Sequence, residues 1–350
     1  MVAFIKKYLG WRNWAVFVYN SIFENLFIIF YISLRTNVYS DEFLIDIFIF
    51  LLFSIFSTTY GYLINDYADI DLDKIHGKQN TFSNDSKTKA VLISFLFLAL
   101  SIVFGFPFSK NQSFVFLWFA WIFITSFYSL PPVRLKERGK TGLIFVVFAQ
   151  RFIPVLLLFT AFNFPYPAEL IFLSVYVFFR GISSDLNHQL EDFENDISTG
   201  TKTFAVTSGM QKGTRLLRFS LESEKLILAG ILFYMLSSLL FLPVLLYLIL
   251  VFTTFLYLTM YGYSVAQILR KAVSSVNPFK SDSGIFQFLH HSFPSVILAV
   301  TLNIIVTYYN WKFVLLFLLL GYIRGLFSIR IIKNSYIFKF ISKIFIKSTN

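Results

Sequence analysis

The sequence predicts an all-α, polytopic membrane protein, a helical bundle of nine or ten transmembrane helices forming one domain over residues 1–350. Three observations predict it. Hydrophobic residues make up 57% of the chain and charged residues only 14%, with a mean hydropathy of +0.69, which is more apolar sequence than a soluble core of this length can cover. Apolar runs long enough to cross a hydrocarbon layer of roughly 30 Å recur along the whole chain. Lys and Arg collect in alternate loops between those runs, as the positive-inside rule requires.

The apolar runs lie near 14–34, 43–64, 90–108, 113–130, 142–161, 168–186, 225–241, 244–264, 293–311 and 313–332. Only Trp311 and Lys312 separate the last two, so nine and ten spans both fit the pattern. The N-terminus, MVAFIKKYLGWRNW, has no small-residue cleavage site after its apolar stretch and reads as a retained first span. With Lys6, Lys7 and Arg12 placed in the cytoplasm, the loops on that side carry Lys74, Lys78, Lys87 and Lys89, then Arg134, Lys136, Arg138 and Lys140. The later ones carry Lys202, Lys212, Arg215 and Arg218, then Arg270, Lys271 and Lys280, and the tail from Lys333 to Lys347. The opposite loops hold Arg35, Lys110 and Lys312. The basic tail favours ten spans with both ends inside.

Composition also excludes chemistry. The chain has no cysteine and four histidines, which removes disulfides, thiolate catalysis and sulfur-ligated metals and leaves little for a histidine site. The net charge of +11 is accounted for by topology and anionic headgroups, so no nucleic-acid partner is expected. Most of the 47 phenylalanines are expected on lipid-facing surfaces.

Polar chemistry concentrates in the segments 65–89, 131–141, 185–224 and 265–292. The first opens with NDYADIDLD, residues 65–73, directly behind the second apolar run. If that helix continues through the motif, Asn65, Asp66, Asp69 and Asp73 share an arc of about 100°, with Asp71 pointing elsewhere. Converging carboxylates repel unless protons or cations neutralise them. Oxygen-only donors suit Mg²⁺, which takes one or two protein carboxylates and completes its octahedron with water and phosphate oxygens. A solvated helix end below the membrane would explain a single Asp but not this set. The stretch from Asp185 repeats the pattern: Asp185, Gln189, Asp192 and Asp196 fall within about 60° on a continuous helix, while Glu191 and Glu194 face away. A four-span unit used twice would bring both acidic faces to one end of the bundle. Lys202 follows in a turn rich in Gly and Thr, where it is equally an interfacial cation or a phosphate contact. Between the clusters, Pro131 and Pro132 end the fourth span, and Arg134, Lys136, Arg138 and Lys140 present alternating cations that orientation alone would also demand.

Three of these elements, in order, resemble the motifs of the UbiA superfamily of intramembrane prenyltransferases. They are N65-D66-Y-A-D69-I-D-L-D73, Y128-S-L-P-P-V-R134-L-K136, and D192-F-E-N-D196 with G200-T-K202-T. The resemblance implies a UbiA-like bundle of about nine spans, with a cavity open to the cytoplasmic side and to lipid. It implies that Asn65, Asp66, Asp69, Asp73, Asp192 and Asp196 hold Mg²⁺ and a diphosphate, with the five aspartates catalytic. Arg134, Lys136 and Lys202 would bind the diphosphate oxygens. Tyr128 would lie nearest the allylic cation, and Asp185, Gln189 and Arg12 are further candidates for substrate binding. The implied reaction is isoprenyl transfer from an allylic polyprenyl diphosphate to an acceptor, either a small aromatic, a quinone precursor or a lipid. The protein would be integral to a membrane, the cell inner membrane, with its site facing the cytoplasm. The approach N187-H188-Q189-L-E191-D192 is more polar than the family pattern, and the tenth span is a second departure. Phosphoribosyl transfer to a polyprenyl phosphate and terpene cyclisation begin with the same diphosphate departure and stay open. From other classes, a cation transporter is disfavoured because the acids cluster at one surface, and a noncatalytic scaffold leaves two matched acidic faces unexplained. Arg151 and Glu24, deep within apolar runs, are expected to face the bundle interior and to pair with each other.

Overall fold

The computed structural model describes residues 2–75, 77–270, 276–280, 284–336, 338–339 and 342, with the side chains of residues 11–13 outside that description. The side chain of Arg12, Lys271 and the tail beyond 342 therefore lie outside the described residues. Those described form helices joined by turns and loops, and the sole β element among them is an isolated parallel bridge between Gly139 and Thr203.

Local sequence signals start and stop the helices. Ser86 opens Lys87–Gly105 by accepting from the Lys89 N–H at 3.2 Å. Asn111 opens Gln112–Ser129 by accepting from Ser113 and Phe114, and Pro167 occupies the first position of Pro167–Glu191. Each supplies what a helix N-terminus lacks, a partner for an orphan N–H or a residue that has none. Gln112–Ser129 ends at Leu130 in extended conformation, ahead of Pro131 and Pro132.

Six helices among the described residues are long and apolar enough to cross a membrane: Asp41–Ile75, Lys87–Phe108, Gln112–Ser129, Lys140–Ala161, Val244–Leu269 and Gly284–Tyr309. The nine or ten expected are not all of this kind. The expected span at 14–34 is broken into Trp11–Val18, Ser21–Glu24 and Phe27–Thr36. Asn20 interrupts it, because its side-chain oxygen takes the Ile22 N–H at 2.9 Å in place of a helical carbonyl. The span expected at 313–332 stops after Val314–Ile323, where Gly325 turns the chain with φ of 66°. The span expected at 168–186 lies inside Pro167–Glu191, and that expected at 225–241 overlaps the end of Met210–Ser238 and runs three residues past it; their apolar faces are diluted by Arg180 and Asp185 and by Glu222, Glu224 and Lys225.

The chain forms two compact units, one of Met1–Ile22 and Glu42–Glu224, the other of Phe23–Asp41 and Lys225–Asn350. In the first, a core of Leu143, Val146, Val147, Leu186, Phe204, Leu217 and Leu221 ties four helices together, with Tyr128 packed on its edge. Gly181 permits a close helix approach here: a Cβ at this position would lie 2.7 Å from Val147 Cγ1. Arg151, on the π-helical turn Phe148–Phe152, is buried. In the second unit, Phe27–Thr36 packs on Ala299–Tyr309. Asn310 Nδ2 donates to the Tyr39 carbonyl at 2.8 Å, and Lys312 pairs with Asp41. Glu24 is buried within that unit. Both acidic motifs fall in the first unit, so the two units are not the two copies of the repeat that the sequence anticipates.

Candidate active site

Asp41–Ile75 is one unbroken helix of 35 residues, so Asn65, Asp66, Asp69 and Asp73 keep helical spacing and share a face. Asp66 and Asp69 are buried on it, at 1% and 8% exposure. Desolvated carboxylates need partners, and each motif residue has them. Asn65 Oδ1 accepts from Ser129 Oγ and, at 3.5 Å, from Lys136 Nζ. Asp66 Oδ2 accepts from the Thr81 N–H at 3.0 Å. Asp69 pairs with Lys136 through Oδ2 and with Arg134 Nη2 through Oδ1 at 3.4 Å. Asp73 Oδ2 accepts from Asn80 Nδ2 at 2.7 Å.

The basic loop is shaped to deliver its cations. Arg134 sits in the left-handed region with φ of 37° and is shared between Asp69 and Glu137, whose Oε1 it holds at 2.7 Å. A short 3₁₀ turn, Leu135–Glu137, then points Lys136 at Asp69. Gly142 seats this turn, because a Cβ there would come within 2.6 Å of the Leu135 carbonyl oxygen. Burial lowers the pKa of Lys136, opposed by the adjacent Asp69 carboxylate. The loop is also stapled to the Gly and Thr-rich turn: the Gly139 N–H donates to the Lys202 carbonyl at 2.9 Å. This puts the Lys202 backbone beside the cationic loop, with the Lys202 side chain exposed.

The second acidic motif departs from expectation. The helix from Pro167 ends at Glu191, and Asp192, with φ of −87° and ψ of 5°, separates it from the short helix Phe193–Ser198. The continuous rotation from Asp185 to Asp196 is therefore interrupted, and Asp192 and Asp196 are carried by a separate turn. Gln189 is occupied as a staple: its Nε2 donates to Asp185 Oδ2 at 2.6 Å, and its Oε1 accepts from the Ala205 N–H at 3.1 Å. Asp196 Oδ2 accepts from Thr203 Oγ1 at 3.1 Å. Burial raises the Asp196 pKa, opposed by the Thr203 hydroxyl, reinforced by Asp192 and relieved by Lys78. Asp192 itself is exposed.

Two residues link the motifs. Tyr128 lies within electrostatic range of Asp185, Asp69 and Asp196, and Lys78, just past the first motif, acts on Asp196 of the second. Asp69 of the first acidic segment and Asp185 and Asp196 of the second thus all lie within charge range of Tyr128. No three acidic or histidine side chains among the described residues converge closely enough to form a protein cage for a metal. The donors nevertheless suit Mg²⁺ held jointly with a diphosphate: they are all hard oxygens, and such a site needs only one or two carboxylates. Sequence reading missed Ser129, Lys78, Asn80, Thr81 and Thr203. Ser129 and Thr203 stand inside motifs already singled out, whereas Lys78, Asn80 and Thr81 lie in a turn whose polar residues look like ordinary loop composition.

Asp71 provides an internal control. It is exposed and pairs with Lys87 at 2.7 Å, away from the shared face. Asp71→Asn is expected to change turnover less than about twofold, as a surface ion pair contributes little, measured as diphosphate release beside the unmodified protein.

The family model described as "UbiA prenyltransferase family" matches residues 26–292. A solved UbiA homologue from Archaeoglobus fulgidus bound to GPP and Mg²⁺ is similar at a TM-score of 0.55, with 17% identity over 86% of this chain and 99% of that one. Its form bound to DMAPP and Mg²⁺ gives 0.54, with 16% identity over 84% and 98%. A structure of digeranylgeranylglyceryl phosphate synthase gives 0.51, with 16% identity over 86% and 98%. No curated protein sequence matches. The match over residues 26–292, carrying all three motifs on a shared helical fold, shows that the chain belongs to the UbiA prenyltransferase family.

Proposed function

We propose that the protein is a Mg²⁺-dependent membrane prenyltransferase that moves an isoprenyl group from an allylic polyprenyl diphosphate to an aromatic, quinone-precursor or lipid acceptor, releasing diphosphate. The observation that carries this reading is the joining of Asp69 and Asn65 to Lys136, with Arg134 alongside, while Tyr128 feels both acidic segments. Similar structures hold GPP or DMAPP with Mg²⁺.

Asp66, Asp69 and Asp73, with Asp192 and Asp196, are the residues that would hold the metal, Asn65 assisting. When bound, Mg²⁺ neutralises negative charge that grows on the diphosphate as it departs. Lys136, Arg134 and Lys202 add cations for the same oxygens. The donor's C1–O bond breaks with its electron pair leaving on diphosphate. The acceptor's nucleophilic atom then bonds to C1 and gives up its proton. Tyr128 presents an aromatic ring to the developing allylic cation, beside the apolar core of Leu143, Val147 and Leu186, which excludes water. In this reading the whole chain acts as one catalytic domain of nine or ten spans, with the less apolar helices also crossing. The site opens toward the cytoplasmic face of the inner membrane, where the basic loops lie.

The test is purified protein in detergent with Mg²⁺ and labelled dimethylallyl, geranyl, farnesyl and geranylgeranyl diphosphates, each with candidate acceptors. Diphosphate release that Asp66→Ala and Asp192→Ala both abolish supports the reading. Metal flux across vesicles without release, unchanged by those substitutions, would replace it with transport.

A further inference from the structure

We propose that Asn80, which belongs to none of the three motifs, is a positioning residue of the diphosphate site that holds Asp66 and Asp73 in register without neutralising them. The inference rests on the reading of the acidic face as that site.

The geometry is local and specific. Asp66 and Asp73 are seven residues apart, two helical turns, so they lie one above the other on the same face. The Asn80 side chain lies along that face: its Nδ2 donates both to the Asp66 main-chain carbonyl and to Asp73 Oδ2, each at 2.7 Å. The next residue completes the arrangement, because the Thr81 N–H donates to Asp66 Oδ2 at 3.0 Å. Two neighbouring loop residues thus address two carboxylates of one helix face, each through its Oδ2.

The loop that presents Asn80 is fixed at both ends. The Lys78 N–H donates to the Asp73 carbonyl at 2.9 Å, with Gly77 turning the chain at φ of 62°. Asn80 Oδ1 accepts from the Phe82 N–H at 2.9 Å, and Ser83 Oγ donates to the Asn80 carbonyl at 2.6 Å. Phe82 is wholly buried, with its ring 5.9 Å from that of Tyr8. Asp85 closes the loop by accepting from Tyr8 at 3.1 Å and Lys89 at 2.7 Å, and by pairing with Lys7.

The chemistry of the amide explains its use here. Lys136 brings a cation to Asp69, whereas a neutral amide orients a carboxylate and adds no charge beside it. Residues that orient metal-binding carboxylates by hydrogen bonds typically change metal affinity by about 10–100-fold when replaced.

The experiment uses the full-length protein in detergent with geranyl thiolodiphosphate, a donor analogue whose C–S bond resists ionisation. The readout is the Mg²⁺ concentration giving half of the metal-dependent thermal stabilisation. Asn80→Ala and Asn80→Asp are expected to raise it by about tenfold or more, with little change in Tm when Mg²⁺ is absent. Asn80→Asp keeps the acceptor for the Phe82 N–H and hence the turn, so it decides the matter should Asn80→Ala fail to fold. Asn84→Ala, an exposed neighbour, is expected to match the unmodified protein. Half-points within twofold of the unmodified protein for a folded Asn80 variant overturn the proposal, as does unfolding of both variants, which would assign the amide to loop folding alone. An unmodified protein that shows no Mg²⁺-dependent stabilisation overturns the diphosphate reading itself, and this proposal with it.

Discussion

Asp69→Asn is expected to lower diphosphate release from an allylic diphosphate by about a thousandfold or more, equivalent to about 4 kcal/mol of transition-state stabilisation. The substitution keeps the shape of the side chain and one acceptor oxygen, so the hydrogen bond from Lys136 has a geometric replacement. What it removes is charge, at a position 8% exposed, where water cannot make good the loss. Two consequences add. The acidic face loses one of its buried carboxylates for a cation, and Lys136 loses the neighbour that opposes the effect of burial on its pKa. Burial then shifts Lys136 further toward its neutral form, so one substitution weakens both the metal-holding and the diphosphate-holding sides. The measurement is single-turnover release of labelled diphosphate at saturating Mg²⁺, beside thermal unfolding in detergent to show that the variant is folded. A folded Asp69→Asn protein retaining more than a tenth of the rate would remove Asp69 from the machinery.

How far such a site is legible in sequence depends on whether its geometry is local. The face of Asn65, Asp66, Asp69 and Asp73 follows from helical rotation because nothing between Asp41 and Ile75 breaks the helix. The same argument fails at Asp192, where one residue in a bridging conformation ends the helix, and no proline or glycine marks the break. It fails again at residue 20, where a side chain of unremarkable type takes a backbone N–H and divides what reads as a continuous apolar span. The left-handed conformation of Arg134 carries no signal either, since arginine seldom adopts it. The contacts of Asn80 and Thr81 with the acidic face arise only when the chain turns back on the helix it has left. Asn80 lies only seven positions beyond Asp73, but which of the many polar loop residues lands on the carboxylates is decided by the anchors at Phe82 and Asp85. Motif residues on regular helices are thus readable, and the residues that hold them are not.

The second large effect is expected at Lys136. Lys136→Met keeps an unbranched stem of similar reach, so packing on the 3₁₀ turn is preserved, while the cation is lost. Removing one preorganised electrostatic contact to the departing group typically costs about 10²–10³ in kcat. The loss should fall on kcat more than on KM, because charge on the diphosphate oxygens grows as the bond to carbon breaks. Arg134→Met should cost less. Its guanidinium reaches Asp69 at 3.4 Å and is shared with Glu137 at 2.7 Å, so part of its charge is already spent, and its side chain is 22% exposed against 16% for Lys136. The pairing with Asp69 adds a prediction that no single variant makes. Lys136→Met leaves Asp69 as a buried carboxylate stripped of its nearest cation, and Asp69→Asn leaves Lys136 in the converse position. In the double variant neither charge remains, so the two losses should not add: the combined rate should lie at least about tenfold above the product of the single effects. Strict additivity would mean that the two side chains act on the substrate independently, and that their contact plays no part in assembling the site.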